Sequence, residues 1–518
     1  LRDPATLRQA NDLSLSAPLP GLILMAMSTL LGLVVLIYSE DDLSSNDLYF
    51  LMPWVFALGI VFAIPSLLLW FKGQFSLANP LIFGTWTYLF PAFALGGFFL
   101  SMGWSDPIFL NLIQDPRTDI PYTMFIVGIG FLGLSLGYFL PLGKWTGEFI
   151  GNAIPTLKIE DRYFIIPALF LMSLGVLFTT AAFQLSKFGY QKAQEISSYD
   201  GILFLTQQFW FFGCFILWLV IFRQRPFKIA YLPLVVFLII SNLGRAFFAG
   251  NRGTMLSIFF VILLAFILSG RKLRSNQMLF GGSALAVLLF LGMIYGTSFR
   301  LIKGSEAQIS AIEYVDLMRT TFEEIGKQSL VENVKNATST LIARVDVVST
   351  LAVVVSNYEQ LKPYEEIYGL NDNITNELTT FFIPRIIWPD KPAPTDARKY
   401  SELYFNFGES SFALTTFGDL LRNFGPIGVP LGMLVIGVLL RFIWTALVVG
   451  HDPNILTYTV YFIILSGISY EGFYGSLIPT VFRYTITAVA GAFIAYIFAA
   501  YLKKLGILRA ESGSAFQK

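Results

Sequence analysis

Apolar residues run in long blocks along this chain, and polar residues are confined to short breaks between them. A bilayer core needs roughly 20 apolar residues per helix. Windows of that kind lie at 18–39, 48–72, 79–102, 119–141, 162–184, 201–223, 229–249, 253–270, 276–297, 423–447, 455–472 and 478–502. The pattern predicts an all-α, polytopic membrane protein of about twelve spans. One polar interval, about 298–412, is far longer than an ordinary connection. It keeps aromatic, Ile and Val residues and has no low-complexity run, so it is expected to fold as a mostly helical cap. The predicted units are 1–297 (nine spans), 298–412 (cap) and 413–518 (three spans and a tail). No internal repeat is evident by eye.

The basic residues orient these spans. Arg2 and Arg8, Lys72, the group Lys144, Lys158 and Arg162, the run Arg223–Lys228, Arg271–Arg274, and Lys503, Lys504 and Arg509 fall in alternate connections. The opposite loop Asp41–Asp47 has acidic and no basic residues. Both termini are therefore expected inside, with residues 1–17 a short cytoplasmic tail, no cleavable signal, and 298–412 outside. The connection 450–454 has little basic bias. Segment 339–356 is apolar enough to enter the membrane, but Arg344 and Asp346 would each cost about 2.5–3.5 kcal/mol at mid-bilayer. It reads as an external helix lying on or dipping into the protein.

Composition adds exclusions. Hydrophobic residues make up 55% of the 518 and charged ones 13%, against about 25% charged in soluble domains. One cysteine, Cys214, rules out an internal disulfide and a cysteine metal site; one histidine, His451, leaves no His-rich zinc site. The sequons at Asn336 and Asn373 carry little weight. Nothing points to nucleic acid.

Against the inside bias, several arginines fall on the external side. Arg245 and Arg252 flank the turn 244–253, and Arg300 follows the ninth span. Arg344, Arg385 and Arg398 lie in the long interval; Arg422 starts the tenth span, and Arg483 stands near the external end of the twelfth. Guanidinium offers planar paired donors that match phosphate oxygens. An interfacial arginine is otherwise a snorkelling or salt-bridged anchor, and Arg422 has Asp419 one turn earlier. Gly250 and Gly253 allow an unusual turn and close backbone approach at Arg252.

The segment Phe381-Phe-Ile-Pro-Arg-Ile-Ile-Trp-Pro-Asp-Lys-Pro392 stands out in the polar interval. Its prolines stiffen the trace and so reduce ordering entropy on binding. Arg385 and Lys391 bracket Trp388, whose ring could stack on a sugar or anchor at the interface. Downstream, Glu409 and Asp419 are the candidate bases toward a sugar hydroxyl. Asp419 also fits a helix-entry role, and Glu409 is the freer of the two.

Ile383-Pro-Arg-x-x-Trp-Pro-x-Lys-Pro392, followed by Gly418-Asp-x-x-x-Asn-Phe-Gly-x-x-Gly428, resembles bacterial oligosaccharide repeat-unit polymerases. These are the Wzy-type O-antigen and exopolysaccharide polymerases. Gly250-Asn-Arg-Gly253, Arg344-Val-Asp346 and Tyr368-Gly369 add to a resemblance covering about 240–485; residues 1–200 match only in hydropathy. It implies a metal- and cofactor-independent membrane glycosyltransferase related to the GT-C fold. Such an enzyme joins repeat units carried on undecaprenyl diphosphate at the outer face of the bacterial inner membrane, beside a chain-length-regulating partner. By the same resemblance Arg252 and Arg385 hold the diphosphate, Arg344 assists, and Arg300 is a weaker addition. The loop has no histidine of the kind related O-antigen ligases use, which favours a polymerase and leaves the base between Glu409 and Asp419. A lipid-linked-sugar flippase and a structural membrane subunit are the alternatives. The asymmetry of nine spans, cap and three spans disfavours the repeated halves of a transporter.

Overall fold

The computed structural model describes residues 48–105, 107–155, 159–185, 200–224, 228–250, 252–271, 274–303, 311–392, 395–408, 412, 414–450 and 452–506. The window at 18–39 and the acidic 41–47 loop lie outside the described residues. Within them the chain is helical with no strand. The helices are α1 (Tyr49–Phe71), α2 (Pro80–Ser101), α3 (Pro116–Phe139), α4 (Pro141–Ala153), α5 (Asp161–Gln184), α6 (Asp200–Arg223), α7 (Ile229–Ala249), α8 (Arg252–Leu268) and α9 (Ser275–Lys303). There follow α10 (Ala311–Lys327), α11 (Leu330–Val345), α12 (Val347–Glu365), α13 (Asn373–Thr380), α14 (Ala397–Phe405), α15 (Thr415–Val449), α16 (Ile455–Ser466) and α17 (Tyr474–Lys504).

Among the described residues ten helical stretches are long and apolar enough to cross a membrane. This is an all-α, multi-pass membrane protein. Two of the predicted windows form shorter apolar helices, 253–268 and 455–466, so the expected twelve full spans are not reproduced one for one. Local chemistry sets several helix starts. Asn79 and Asp115 accept from the backbone N–H of Leu81 and Arg117, with Pro80 and Pro116 at the first helical position. Asn454 and Thr457 form a reciprocal capping box at α16.

For the segment across 339–356, of the two placements expected, lying on the protein or dipping into it, the structure takes the second: α11 ends at Val345, and α12 enters the bundle with Val347–Val355 all shielded. Asp346 makes the elbow by capping α12, its carboxylate accepting from Ser349 N–H at 3.0 Å. Gly96 of α2 admits the elbow: a Cβ there would stand 2.4 Å from the Val345 carbonyl oxygen. The far part of α12 meets the start of α3, Ser356 donating to Asp119 at 2.6 Å. The end of α2 and the start of α3 are joined by one connection, so α12 enters and leaves on the same face. Later spans keep their orientation.

α15 is a hairpin. Gly425 has φ 70° and ψ −171°, which breaks the helix. The arm Thr415–Phe424 folds back along the arm that follows, with Thr416 Oγ1 3.8 Å from Met433 Sδ and Leu420 against Gly432.

A glycine seam joins α3 and α4 to the second arm of α15. A Cβ at Gly133 would lie 2.3 Å from the Pro430 oxygen, at Gly137 2.0 Å from the Leu434 oxygen, and at Gly143 2.6 Å from the Val438 oxygen. Gly437 reciprocates against the Leu134 oxygen at 2.0 Å. Partner numbers rise together, so α3 and this arm run parallel, which agrees with their predicted common direction. In lipid, small residues let helices approach for want of a hydrophobic drive between them. Gly137→Ala is expected to destabilise the detergent-solubilised protein by roughly 1–3 kcal/mol through overpacking. Gly128→Ala, where a Cβ would meet only Leu58 at 3.8 Å, is expected to leave the melting temperature unchanged.

Candidate functional site

The cap is fastened to the bundle at two places. At the turn between α7 and α8, Gly250 adopts φ +60°, and a Cβ there would strike the Phe299 ring at 2.5 Å. Only glycine fits. Tyr295 donates at 3.0 Å to the Phe247 carbonyl, which also accepts from Gly250 N–H at 3.1 Å, and Tyr314 of α10 donates to that of Phe248. Arg252 opens α8 beside this turn; its side chain lies outside the described residues, as does Glu409.

The second fastening is a buried charge network on the first arm of α15. Arg422 pairs with Glu365 of α12 at 3.0 Å and with Asp419 at 2.9 Å. It also donates to the Leu370 carbonyl and to Asn373 Oδ1, both at 2.7 Å. Asp419 accepts further from Asn373 at 3.1 Å, Asn423 at 3.2 Å and Gly475 N–H at 3.2 Å. Tyr404 donates to Glu365 at 2.8 Å. One guanidinium thus faces two carboxylates, and neutral donors meet the surplus negative charge. This corrects two expectations. Asp419 is fully buried with its oxygens occupied, so it is not placed to take a sugar proton, and buried Arg422 is not placed to hold substrate. The pairing of Arg422 with Asp419 was the structural alternative. Asn373, built into the same network, is buried and no glycan acceptor.

What the fold does bring together is Arg385, Lys391 and Arg483. α13 lies along the start of α17, with Ile374 against Gly475 and the Phe381 ring 5.1 Å from that of Phe482. That places the Pro-Arg segment beside Arg483. The segment is folded on itself by its own cations: Arg385 donates to the Lys391 and Pro392 carbonyls at 2.8 and 2.6 Å, and Lys391 to the Ile383 carbonyl at 3.1 Å. Burial, then the charges of Arg483 and Arg385, lower the pKa of the Lys391 ammonium, while Glu377 opposes them. Glu377 also accepts from Thr395 Oγ1 at 2.7 Å. Glu377 lies among these three cations and Asp390 adjoins Lys391 in the chain, so the positive excess is one. Trp388 is 37% exposed on the same segment.

Arg483 stands twenty positions before Lys503 in α17. At 1.5 Å per residue that is about 30 Å, the thickness of the hydrocarbon core. A membrane spanned by this stretch of α17 would have Arg483 near one interface and the Lys503–Lys504 pair near the other.

The other arginines lie apart from it. Arg344 pairs with Glu471 at 3.6 Å. Arg245 is held among α5, α6 and α7, donating to Thr179 at 2.8 Å beneath the Trp210 and Phe211 rings. Arg300 is half-buried in the last turn of α9, and Arg398 is half-buried in the first turn of α14. Glu377 and Glu471 were missed from the sequence, where neither carries a local signal. Among the described residues no three His, Cys, Asp or Glu side chains converge to hold a metal ion. Comparison with protein-family models, with curated proteins and with solved structures finds no match.

Two outcomes are expected. Arg422→Met, which strands Glu365 and Asp419 without their counter-ion, is expected to cost about 3–5 kcal/mol in denaturation of the purified protein, and Tyr404→Phe about 1–3 kcal/mol. For Lys391 the folded pKa is below the unfolded one, so the unfolded chain binds more protons between the two values and stability rises with pH there. The melting temperature of the wild type is therefore expected to climb as pH approaches the ordinary lysine value of 10.5, and Lys391→Gln is expected to lack that part of the climb.

Proposed function

We propose that the chain polymerises oligosaccharide repeat units carried on undecaprenyl diphosphate, at the external face of a bacterial inner membrane. One observation carries the reading: Arg385, Lys391 and Arg483 gather with an excess of positive charge about one hydrocarbon thickness along α17 from Lys503, which on this reading is headgroup depth. A lipid diphosphate presents its charge at that depth, and paired guanidinium donors match its oxygens. The distribution of lysine and arginine along the chain assigns this face to the outside. The motifs that resemble the polymerase family lie in the same cap and the helices that hold it.

In the proposed reaction, departure of the sugar leaves negative charge on the diphosphate oxygen. Fixed cations offset that charge and need no reorganisation as the bond breaks. Arg385 and Lys391 are tied to carbonyls of their own segment, so their charges are positioned before substrate arrives. Exposed Trp388 offers an apolar face to a sugar ring. Arg252 at the glycine turn and Arg344 are further proposed contacts to the lipid-linked substrate.

Arg483→Glu tests this with little risk to the fold, because Arg483 is exposed. In nanodiscs the wild-type chain is expected to bind undecaprenyl diphosphate, and the variant to bind it ten- to hundred-fold more weakly, the worth of one charged hydrogen bond. Native mass spectrometry with titrated lipid reads the difference. Equal binding by the two proteins, or no binding by either, would sink the reading.

A further inference from the structure

Between α16 and α17 the chain runs without helix from Gly467 to Phe473. Glu471 lies in this stretch. Its side chain is 52% exposed and faces Arg344 at 3.6 Å, itself 44% exposed. An ion pair this exposed contributes little to stability, which leaves the carboxylate open to a ligand.

Three features fix this carboxylate. Thr415 and Thr416 donate their backbone N–H groups to the carbonyls of Glu471 and Tyr470, at 3.2 and 3.1 Å. To do so Thr415, a buried β-branched residue, adopts φ +66°, a left-handed conformation such side chains rarely occupy. Tyr470 stacks on Tyr88 with centroids 6.2 Å apart, and Gly84 makes room for it, since a Cβ there would stand 2.8 Å from its ring. The Tyr88 hydroxyl is buried, has no hydrogen-bond partner among the described residues, and lies within electrostatic reach of both Glu471 and Arg344.

The pair lies at the same end of α17 as the cation cluster. Gly467 packs against the ring of Tyr484, the neighbour of Arg483, a Cβ there lying 2.9 Å from it. The four residues on to Glu471 span at most about 14 Å. Of the carboxylates singled out from the sequence, Asp419 is sealed in the buried network and Glu409 lies outside the described residues.

We propose that Glu471 is the general base of the transfer and that Arg344 is its positioning residue, an assignment that rests on the polymerase reading. The acceptor hydroxyl oxygen bonds to the anomeric carbon of the donor sugar as the bond from that carbon to the diphosphate oxygen breaks. The electron pair of that bond leaves with the diphosphate. The hydroxyl proton passes to the Glu471 carboxylate and then to water. Arg344 holds the carboxylate aimed at that proton.

The test uses the full chain in proteoliposomes. The substrate is lipid-linked saccharide extracted from host cells from which the chain has been deleted. Elongation by the wild type is expected, with Glu471→Gln lowering kcat at least about a hundred-fold, the usual weight of a general base. The KM for lipid-linked saccharide is expected to change by less than about three-fold, within the spread ordinary for one such contact, and the acidic limb of the pH–rate profile to vanish. Glu471→Asp is expected to recover part of kcat and to restore that limb. Both variants are expected to melt with the wild type, because an exposed pair contributes little to stability. Elongation by Glu471→Gln within two-fold of wild type, or an acidic limb that persists in it, overturns the assignment and leaves the polymerase reading standing. No elongation by the wild type overturns both.

Discussion

The buried guanidinium of Arg422 ties together parts of the chain that nothing else would hold in register. It sits between Glu365 on α12 and Asp419 on its own helix arm, and reaches the Leu370 carbonyl and Asn373 at the entry to α13. Taking such charges out of water is costly, and the cost is met only when geometry and extra donors are supplied together. Here the donors come from four elements: Asn373, Asn423, Tyr404 and the Gly475 amide. The network can therefore close only when α12, α13, α14, the arm of α15 and the start of α17 are all in place. The Pro-Arg segment follows α13 directly, so its station beside Arg483 depends on that closure.

The glycine seam answers a different constraint. Lipid gives helices no hydrophobic reason to associate, so contact has to come from close packing. Gly133, Gly137, Gly143 and Gly437 bring backbones together at distances no side chain would allow. The second arm of α15 becomes a fixed post, and the first arm folds back against it at Gly425. The seam thus supports the charge network from below. Both are sensitive to single atoms, one to added volume and one to lost charge.

Above this frame the charged side chains divide by environment. Arg422 and Asp419 are sealed, with both carboxylate oxygens and both terminal guanidinium nitrogens bonded, which is what a fastening requires. Arg385, Lys391 and Arg483 repel one another at the surface with one carboxylate among them. Gathering like charges is unfavourable in the empty protein, and it becomes favourable when an anion arrives. Arg344 and Glu471 form a third kind of group, paired but open. On the proposed reading these are the structural, leaving-group and proton-handling parts of one external face.

The sequence by itself determined the fold class and, among the described residues, where most of the long apolar helices lie, because lipid demands long apolar helices. It also contained the Arg422–Asp419 contact, since residues three apart share a helix face, and the close turn at Gly250. Only the tertiary structure decided that 347–355 lies buried inside the bundle, that α15 is a hairpin, and that Arg483 joins Arg385 and Lys391. It alone supplied Glu365 to Arg422 and Glu471 to Arg344. The physical reason is range. Periodicity, hydropathy and helix-face pairing act over a few residues and leave a trace in the chain, whereas a charge partner from a distant helix is chosen by packing, and packing at glycine contacts is set by geometry that no local pattern records.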